Sequence, residues 1–509
     1  MKIFISKTGE KIFYQGNPNL EILEKLSGET GDVWHSSLNQ GFKNCFPELM
    51  YQSPLFWFIN DFDGLGQSVN WRINPAAFAI RASVWEKIGG FDKDFCKPNM
   101  AALDFGYRAI RYLGVVPLYV EKLYQNIDFQ EFEITRKERY LFFIKNFKIQ
   151  HALFMLYRKG FWNVLEWIAF FKIAFKYKKR VHNEFIVPRA LKPLEGQPKI
   201  SYIIPTMMRQ IFTKQLLDDL QSQTLLPTQV IIVDATHSNQ RDLSLYDFSK
   251  YSFEVILKWQ TTKGSCRARN EAIDLCTGDY IIFGDDDIRI LPNFIENHLR
   301  FLQTNSADSC NGIDIQADNL QQNLIDLEQK FKAMPPERLI AGVAQSFSNA
   351  NSCVKTEFVK KLVGNDINFD GGYGEDSDFG FSLLKLGVTV LYNPFSPNLH
   401  LKPLTGGYRF WGSQAKVIGK KRKTQPWELD VPVKNIRPVP SPTVMYGIMK
   451  QYQPQQLIEY KHKHFFHYLF KGSKVGFLYR FLRIPYKNLQ FKKSYFYAKK
   501  LIVLGVRTI

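Results

Sequence analysis

Residues 263–288 read KGSCRARNEAIDLCTGDYIIFGDDDI, and this stretch decides the class of fold. Residues 265–276 have the pattern of a short helix, and residues 279–283 (DYIIF) that of a buried strand. The strand runs directly into Asp285, Asp286 and Asp287. Working upstream, residues 200–205 (ISYIIP) form a short β-branched apolar run and residues 212–226 have helical periodicity. Residues 229–234 (QVIIVD) and 254–259 read as two more strands. Strands alternating with helices of about 10–15 residues predict a parallel, doubly wound α/β sheet. Ligands of such sheets sit beyond the carboxyl ends of the strands. Thr206, Asp234 and the three aspartates stand at those ends, so topology alone gathers them at one site.

Three adjacent carboxylates repel one another, and stability gives no reason to place them at a strand end. A divalent cation would resolve the repulsion. Hard oxygen ligands suit Mg²⁺ or Mn²⁺, which usually also hold substrate phosphates. The plainer alternative is a solvated acidic turn, or a helix cap ahead of Leu291 and Pro292.

Composition narrows the remaining possibilities. The chain has 509 residues, 45% hydrophobic and 23% charged, enough for two or three folded domains. Lys and Arg number 67 against 48 Asp and Glu, a net charge of +19 that favours an anionic partner. No nucleic-acid motif accompanies that charge, so acidic lipid or a phosphorylated substrate is expected rather than nucleic acid. The six cysteines make no CxxC spacing, which points to reduced thiols. No signal-peptide pattern opens the sequence and no long apolar run interrupts it. The expected location is cytoplasmic, peripheral at the inner face of the cell membrane. Collagen-like, disulfide-rich secreted and multi-spanning classes are excluded.

Four motifs in order give residues 199 to about 410 a specific likeness. KISYIIPTMMRQ (199–210), QVIIVDAT (229–236), the 263–288 stretch and GGYGEDSDFGFSLLKLG (371–387) together resemble the catalytic domain of family 2 glycosyltransferases. That resemblance implies a GT-A fold, a Rossmann-like nucleotide-diphospho-sugar transferase domain. It also implies a metal-dependent, inverting transfer from a nucleoside-diphosphate sugar to a glycan or lipid-linked acceptor, in cell-surface polysaccharide synthesis. The other reading is a peripheral membrane protein that keeps the fold and binds glycan or nucleotide without catalysis.

Carried over by position, Asp234 would bond the nucleobase, with Thr206 and Arg209 flanking it and Arg269 near the diphosphate. Asp285 and Asp287 would form the Asp-x-Asp pair that holds Mn²⁺ or Mg²⁺, with Asp286 between them on the donor side. Asp376 would be the general base, with Glu375 beside it. His400, in NLHLKPLTGGYR (398–409), resembles a late histidine that completes metal or phosphate binding, and Lys402 and Arg409 would neutralise phosphate from a closing loop. Each has a structural alternative. Glu375 and Asp376 suit the first turn of a helix, Arg269 could pair with Glu271 or Asp274, and His400 could be a buried structural histidine.

Residues 74–115 repeat the pattern of residues 349–388: Asn, an apolar helix, Gly, Phe-Asp, Asp-Phe-Gly, then Leu-Gly-Val. Setting Asp104-Phe105-Gly106 on Asp378-Phe379-Gly380 puts Ala101 at Glu375 and Ala102 at Asp376. The nearest acidic pair in this block, Asp61 and Asp63, lies in the wrong context. The expected organisation is therefore a degenerate glycosyltransferase-like half-domain at 1–120 and a basic helical connector and linker at 121–198. A catalytic domain at 199–425 and a Pro-rich arm with a basic aromatic tail at 426–509 complete it. Residues 461–509 hold 12 Lys and Arg and no acid, and Leu478, Phe481 and Leu482 share a helical face. Basic amphipathic segments of this kind attract anionic membrane surfaces, and a helix packed on the protein is the alternative.

Overall fold

The computed structural model describes residues 1–45, 55–125, 132–261, 263–362, 364–403, 406–408, 436–471 and 476–508. Arg409, Pro426 and Pro432 lie outside the described residues. The chain divides into two compact units. One is Met1–Pro188 with Ile340–Val343 and Gln453–Phe481. The other is Arg189–Leu339 with Ala344–Tyr452 and Leu482–Ile509.

The second unit is built on a mixed sheet. Its strands run in the order Ile288–Ile290, Val390–His400, Ser309–Gln316, Asn351–Lys355, Tyr280–Gly284, Ile200–Thr206, Gln229–Asp234 and Glu254–Trp259. The last four are mutually parallel; the first three of them are buried apolar runs, whereas Glu254–Trp259, at the sheet edge, is half-exposed. Tyr202, Ile203, Val230, Ile232 and Ile282 lie in the core. The remainder departs from the all-parallel expectation. Asn351–Lys355 runs antiparallel to both neighbours, Tyr280–Gly284 and Ser309–Gln316. That reversal has a consequence for the site. The register Gly284↔Asn351 brings the segment before Asn351 to the carboxyl end of Tyr280–Gly284. The register Ile288↔His400 likewise carries the end of the long strand back to the aspartates.

The first unit repeats part of this plan. Val33–His35 is parallel to Pro117–Val120 and antiparallel to Phe78–Arg81. Gln67–Val69 runs antiparallel to Pro117–Val120, and Lys11–Gln15 antiparallel to Phe78–Arg81. The same relations link Ser309–Gln316, Val390–His400, Asn351–Lys355, Ile288–Ile290 and Tyr280–Gly284. The helix Pro98–Arg108 stands where Glu375–Lys385 stands in the second unit, and it buries Ala101 and Ala102. Asp61 accepts a hydrogen bond at 2.7 Å from the fully buried Arg72, which makes it a structural carboxylate.

The connector folds as three helices, Arg136–Asn146, Ile149–Gly160 and Val164–Lys176. Pro454–Phe470 joins them: Arg158 donates two bonds to Glu459, at 2.8 and 2.6 Å, and the Phe154 and Phe466 rings meet edge-on at 5.0 Å. The basic tail is thus divided between the two units. Its second long helix, Ile484–Leu504, buries Phe491, Tyr497 and Ala498 in the unit that contains Pro442–Gln451. Beyond it, Arg507 and Thr508 are bonded to Ile367, Asn368 and Asn270. None of the six cysteines is in a disulfide.

Candidate active site

The parallel strands deliver polar residues to one end of the second unit, and a cavity of about 400 Å³ opens there. Asp285, Asp286 and Asp287 line it from the end of Tyr280–Gly284, Glu375 and Asp376 from a helix start, and Arg269 from a helix interior.

The three aspartates are not equivalent. Asp286 is buried and held inward: Thr206 Oγ1 donates to it at 2.7 Å and Arg209 Nη1 at 3.1 Å. Burial pushes its carboxyl up to about 7 against the pull of Arg209. Arg209 also donates to Asp287 at 2.9 Å. Asp287 faces His400 Nε2 at 3.3 Å, and its backbone carbonyl accepts from Leu401 N at 2.8 Å. Burial opposes ionisation of Asp287, but His400 and Arg209 outweigh it and hold the carboxyl low. Burial works against a charged His400 in the same way. Asp287 on one ring nitrogen and Asp314 on the other, at 3.2 Å, nevertheless hold its pKa well above the ordinary value.

Asp285, Asp287 and His400 bring three ligand atoms within 4.8 Å of one another. Two carboxylate oxygens and an imidazole suit a divalent cation such as Mn²⁺ or Mg²⁺. The imidazole orientation also fits, because Asp314 on Nδ1 leaves Nε2 aimed at the carboxylates.

Arg269 sits beside this cluster, 5% exposed. Its Nη2 donates to Asp285 Oδ1 at 2.8 Å, so neither Glu271 nor Asp274 is its partner in an ion pair. Glu271 pairs with Lys258 instead. The Nε and Nη1 atoms of Arg269 are buried with no hydrogen-bond partner among the described residues. Burying such donors unpaired costs about 1–3 kcal/mol or more for a charged group.

Asp376 lies in the first turn of Glu375–Lys385, a helix that begins after Gly374 at φ +107°. A left-handed backbone here favours glycine and turns the chain sharply, which sets both carboxylates at the cavity wall. Burial raises the Asp376 carboxyl to about 6, with Arg269 opposing and Asp285 adding to the rise. Asn349 Nδ2 donates to its Oδ1 at 2.6 Å. The cap reading and the cavity reading of Asp376 are compatible, because the first turn of the helix is also the cavity wall.

Asp234 closes the Gln229–Asp234 strand, fully buried, and accepts from Thr236 N at 2.7 Å and Tyr246 Oη at 2.9 Å. It is not among the residues lining the cavity, whereas Lys402 is. Sequence reasoning missed several contributors. Asn349 and Asp314 orient Asp376 and His400. Asp370 accepts from Cys266 N at 2.7 Å and Arg267 Nη1 at 3.0 Å, at the start of the Arg269 helix. Tyr408 lines the cavity and donates to Gln260 Oε1 at 3.1 Å. Asp314, near the end of its strand, was within reach of the strand-end rule; the others come together only through long-range contacts.

The family described as Glycosyl transferase family 2 matches residues 201–350. An "Uncharacterized glycosyltransferase" of Haemophilus influenzae is 30% identical over 107 residues, 21% of this chain and 35% of that protein. The "Uncharacterized glycosyltransferase YibD" of Escherichia coli is 26% identical over 142 residues, 28% of this chain and 39% of that protein. A "GalNAc(5)-diNAcBac-PP-undecaprenol beta-1,3-glucosyltransferase" of Campylobacter jejuni is 25% identical over 96 residues, 18% of this chain and 31% of that protein. The chain thus spans between 31% and 39% of the length of these three relatives. Among solved structures, the mannosyltransferase PcManGT from Pyrobaculum calidifontis with GDP-Man and Mn²⁺ is 17% identical with a TM-score of 0.33, over 62% of this chain and 91% of that one. S. aureus TarS 1-349 with UDP-GlcNAc is 14% identical with a TM-score of 0.37, over 60% of this chain and 92% of that one.

Proposed function

We propose that this chain, which belongs to glycosyltransferase family 2 through residues 201–350, transfers a sugar with inversion from a nucleoside diphosphate to a glycan or lipid-linked acceptor. The observation that carries the reading is Arg269. A buried guanidinium with two unpartnered N–H atoms opens on a cavity shared by a cluster of carboxylates and Asp376. A diphosphate would supply acceptors for the Nε and Nη1 that the ion pair with Asp285 leaves unused, and the carboxylates supply the means to hold its counter-cation.

In this reading Asp285, Asp287 and His400 hold Mn²⁺ or Mg²⁺, which when bound offsets charge on the departing diphosphate. Asp234, Thr206 and Arg209 form the nucleotide side, with Asp286 pinned beneath it. Asp376 accepts the proton of the acceptor hydroxyl as that oxygen attacks the anomeric carbon and the nucleoside diphosphate leaves. A carboxyl raised to about 6 suits this role: it is mostly ionised near neutrality yet more basic than an exposed aspartate. Glu375 lies next to it, and Lys402, which lines the cavity, would neutralise the phosphates together with Arg409.

The lipid-linked acceptor is supported by the Campylobacter relative, whose name specifies a PP-undecaprenol-linked glycan. Location at the inner face of the cell membrane, in polysaccharide synthesis, follows from such an acceptor. In the tail, Leu478, Phe481 and Leu482 are exposed next to Arg480 and Arg483, which supports an anionic membrane contact there.

The experiment is a titration of nucleoside diphosphates and their sugars into the purified full chain, with and without Mn²⁺. Tight, metal-dependent binding that Arg269→Met weakens without changing the melting temperature is expected. Binding unaffected by both metal and Arg269→Met would overturn the reading.

A further inference from the structure

The helix Val164–Lys176 is apolar on two faces. Glu166, Phe170 and Ile173 are buried against the rest of the first unit. On the other side Leu165, Ile168, Phe171 and Phe175 follow one another at helical spacing, and all four are exposed. The Phe171 and Phe175 rings stack at 6.0 Å and continue the stack of Trp167 on Phe171 at 5.6 Å. The turn before the helix ends in Trp162, 91% exposed, and Phe175 near its far end is 87% exposed. Scattered exposed apolar residues are ordinary, but a continuous aromatic stripe marks an interaction surface.

Charge says what that surface meets. Residues 139–183 contain ten Lys and Arg and a single acid, Glu166. Glu166 is buried and already accepts from Arg136 at 2.9 Å, Arg139 at 3.1 Å and Tyr140 at 2.6 Å. This stretch therefore offers the outside only positive charge, with Lys172, Lys176, Lys178 and Lys179 exposed at or just beyond the stripe. A recess of about 860 Å³ adjoins it, where Leu165 and Ile168 meet Arg136, Lys137, Arg139, Lys172 and Lys176; its acids are Glu133 and the already paired Glu166, so basic groups outnumber them. An apolar stripe edged by lysines, with tryptophan at one end, has the chemistry of a helix in the plane of an anionic bilayer. At 13 residues, or roughly 20 Å at about 1.5 Å per residue, it cannot span one. No helix among the described residues is long and apolar enough to do so.

We propose that Val164–Lys176 is an in-plane membrane anchor. Trp162, Leu165, Ile168, Phe171 and Phe175 enter the acyl boundary, the lysines meet lipid phosphates, and the basic recess takes an anionic phospholipid head group. The anchor lies in the connector and is distinct from the tail contact. It rests on the membrane part of the reading above and not on sugar transfer.

The test is flotation of the full chain with phosphatidylcholine vesicles and with vesicles of equal parts phosphatidylcholine and phosphatidylglycerol. Wild type should float with the anionic vesicles and be released only in part by high salt. Trp162→Ser/Phe175→Ser should lower partitioning about tenfold and reduce the salt-resistant fraction. Lys172→Gln/Lys176→Gln should lower it about tenfold on the anionic vesicles alone. Leu478→Ser/Phe481→Ser reports the tail separately. Quenching of tryptophan fluorescence by brominated lipid should fall in Trp162→Ser, and an unchanged melting curve of the full chain excludes misfolding. Three outcomes overturn the anchor: wild type that does not float, stripe variants that float like wild type, or a soluble dimer of wild type that the stripe variants dissociate without any vesicle binding. Because nucleotide binding is read separately, failure here leaves the catalytic reading standing.

Discussion

The side-chain amide of Asn349 donates to Asp376 Oδ1 across 2.6 Å, joining the turn ahead of the strand Asn351–Lys355 to the first turn of a helix. The bond favours the ionised carboxylate, while burial favours the neutral acid and wins, leaving the group at about 6. An acid with a raised pKa loses its basic form as pH falls through that value. The proposed transfer should therefore decline below about pH 6. Asn349→Ala removes the stabilising donor, so the acid limb of kcat/KM against pH should move to higher pH, by roughly one unit for a bond worth about 1 kcal/mol. An unmoved limb would show that Asn349 does not tune the base.

Removing the base itself separates chemistry from binding. Asp376→Asn keeps the size of the side chain and, through the remaining amide oxygen, the bond accepted from Asn349. Transfer should fall by about 10²–10⁴-fold while donor affinity holds. Calorimetry beside a turnover assay checks both at once, and lost donor affinity with normal turnover would move Asp376 to the nucleotide side.

Asp287→Asn tests the cation site. The variant withdraws one charged ligand from the proposed cation and one of the two carboxylates that orient His400. Donor binding should need much more Mn²⁺ or Mg²⁺, and wild type treated with a chelator should behave alike. Normal turnover of the variant at limiting metal contradicts the ligand set.

Arg269→Met leaves Asp285 without its cation and the proposed diphosphate without its two unpartnered donors. A charge-assisted bond contributes about 1.5–3 kcal/mol, so affinity for a nucleoside diphosphate should drop about 10–100-fold. Affinity for the matching nucleoside should not change; an equal loss for both would assign Arg269 to folding rather than phosphate.

In the first unit the fully buried Asp104 accepts from Arg108 at 2.9 Å, Asn146 at 2.7 Å and Arg180 at 3.3 Å. Its counterpart in the repeat, Asp378, accepts from Lys450 at 2.7 Å and Gln451 at 2.6 Å. Breaking a buried pair on one side commonly costs about 3–5 kcal/mol. Asp104→Ala should lower stability in urea by that order, and a loss below about 1 kcal/mol would mean the arginines find other partners.

What residue order determines by itself is local. Apolar runs and strand-end polarity located 229–234 and 254–259 to the residue and placed the aspartates at the end of their strand, although only 229–234 is buried and 254–259 is a half-exposed edge strand. The helix expected over 212–226 runs instead over Gln210–Gln221, because Leu225 and Leu226 continue the apolar pattern beyond the last helical turn. Tertiary structure decided the rest. The reversed direction of Asn351–Lys355 brings Asn349 to Asp376, the register of Val390–His400 sets His400 between Asp287 and Asp314, and chain reversal splits the basic tail between two units. Periodicity reports which face of a segment is buried, whereas these pairings join residues up to more than a hundred positions apart. Strand direction and register select them, and no short window of residues carries that information.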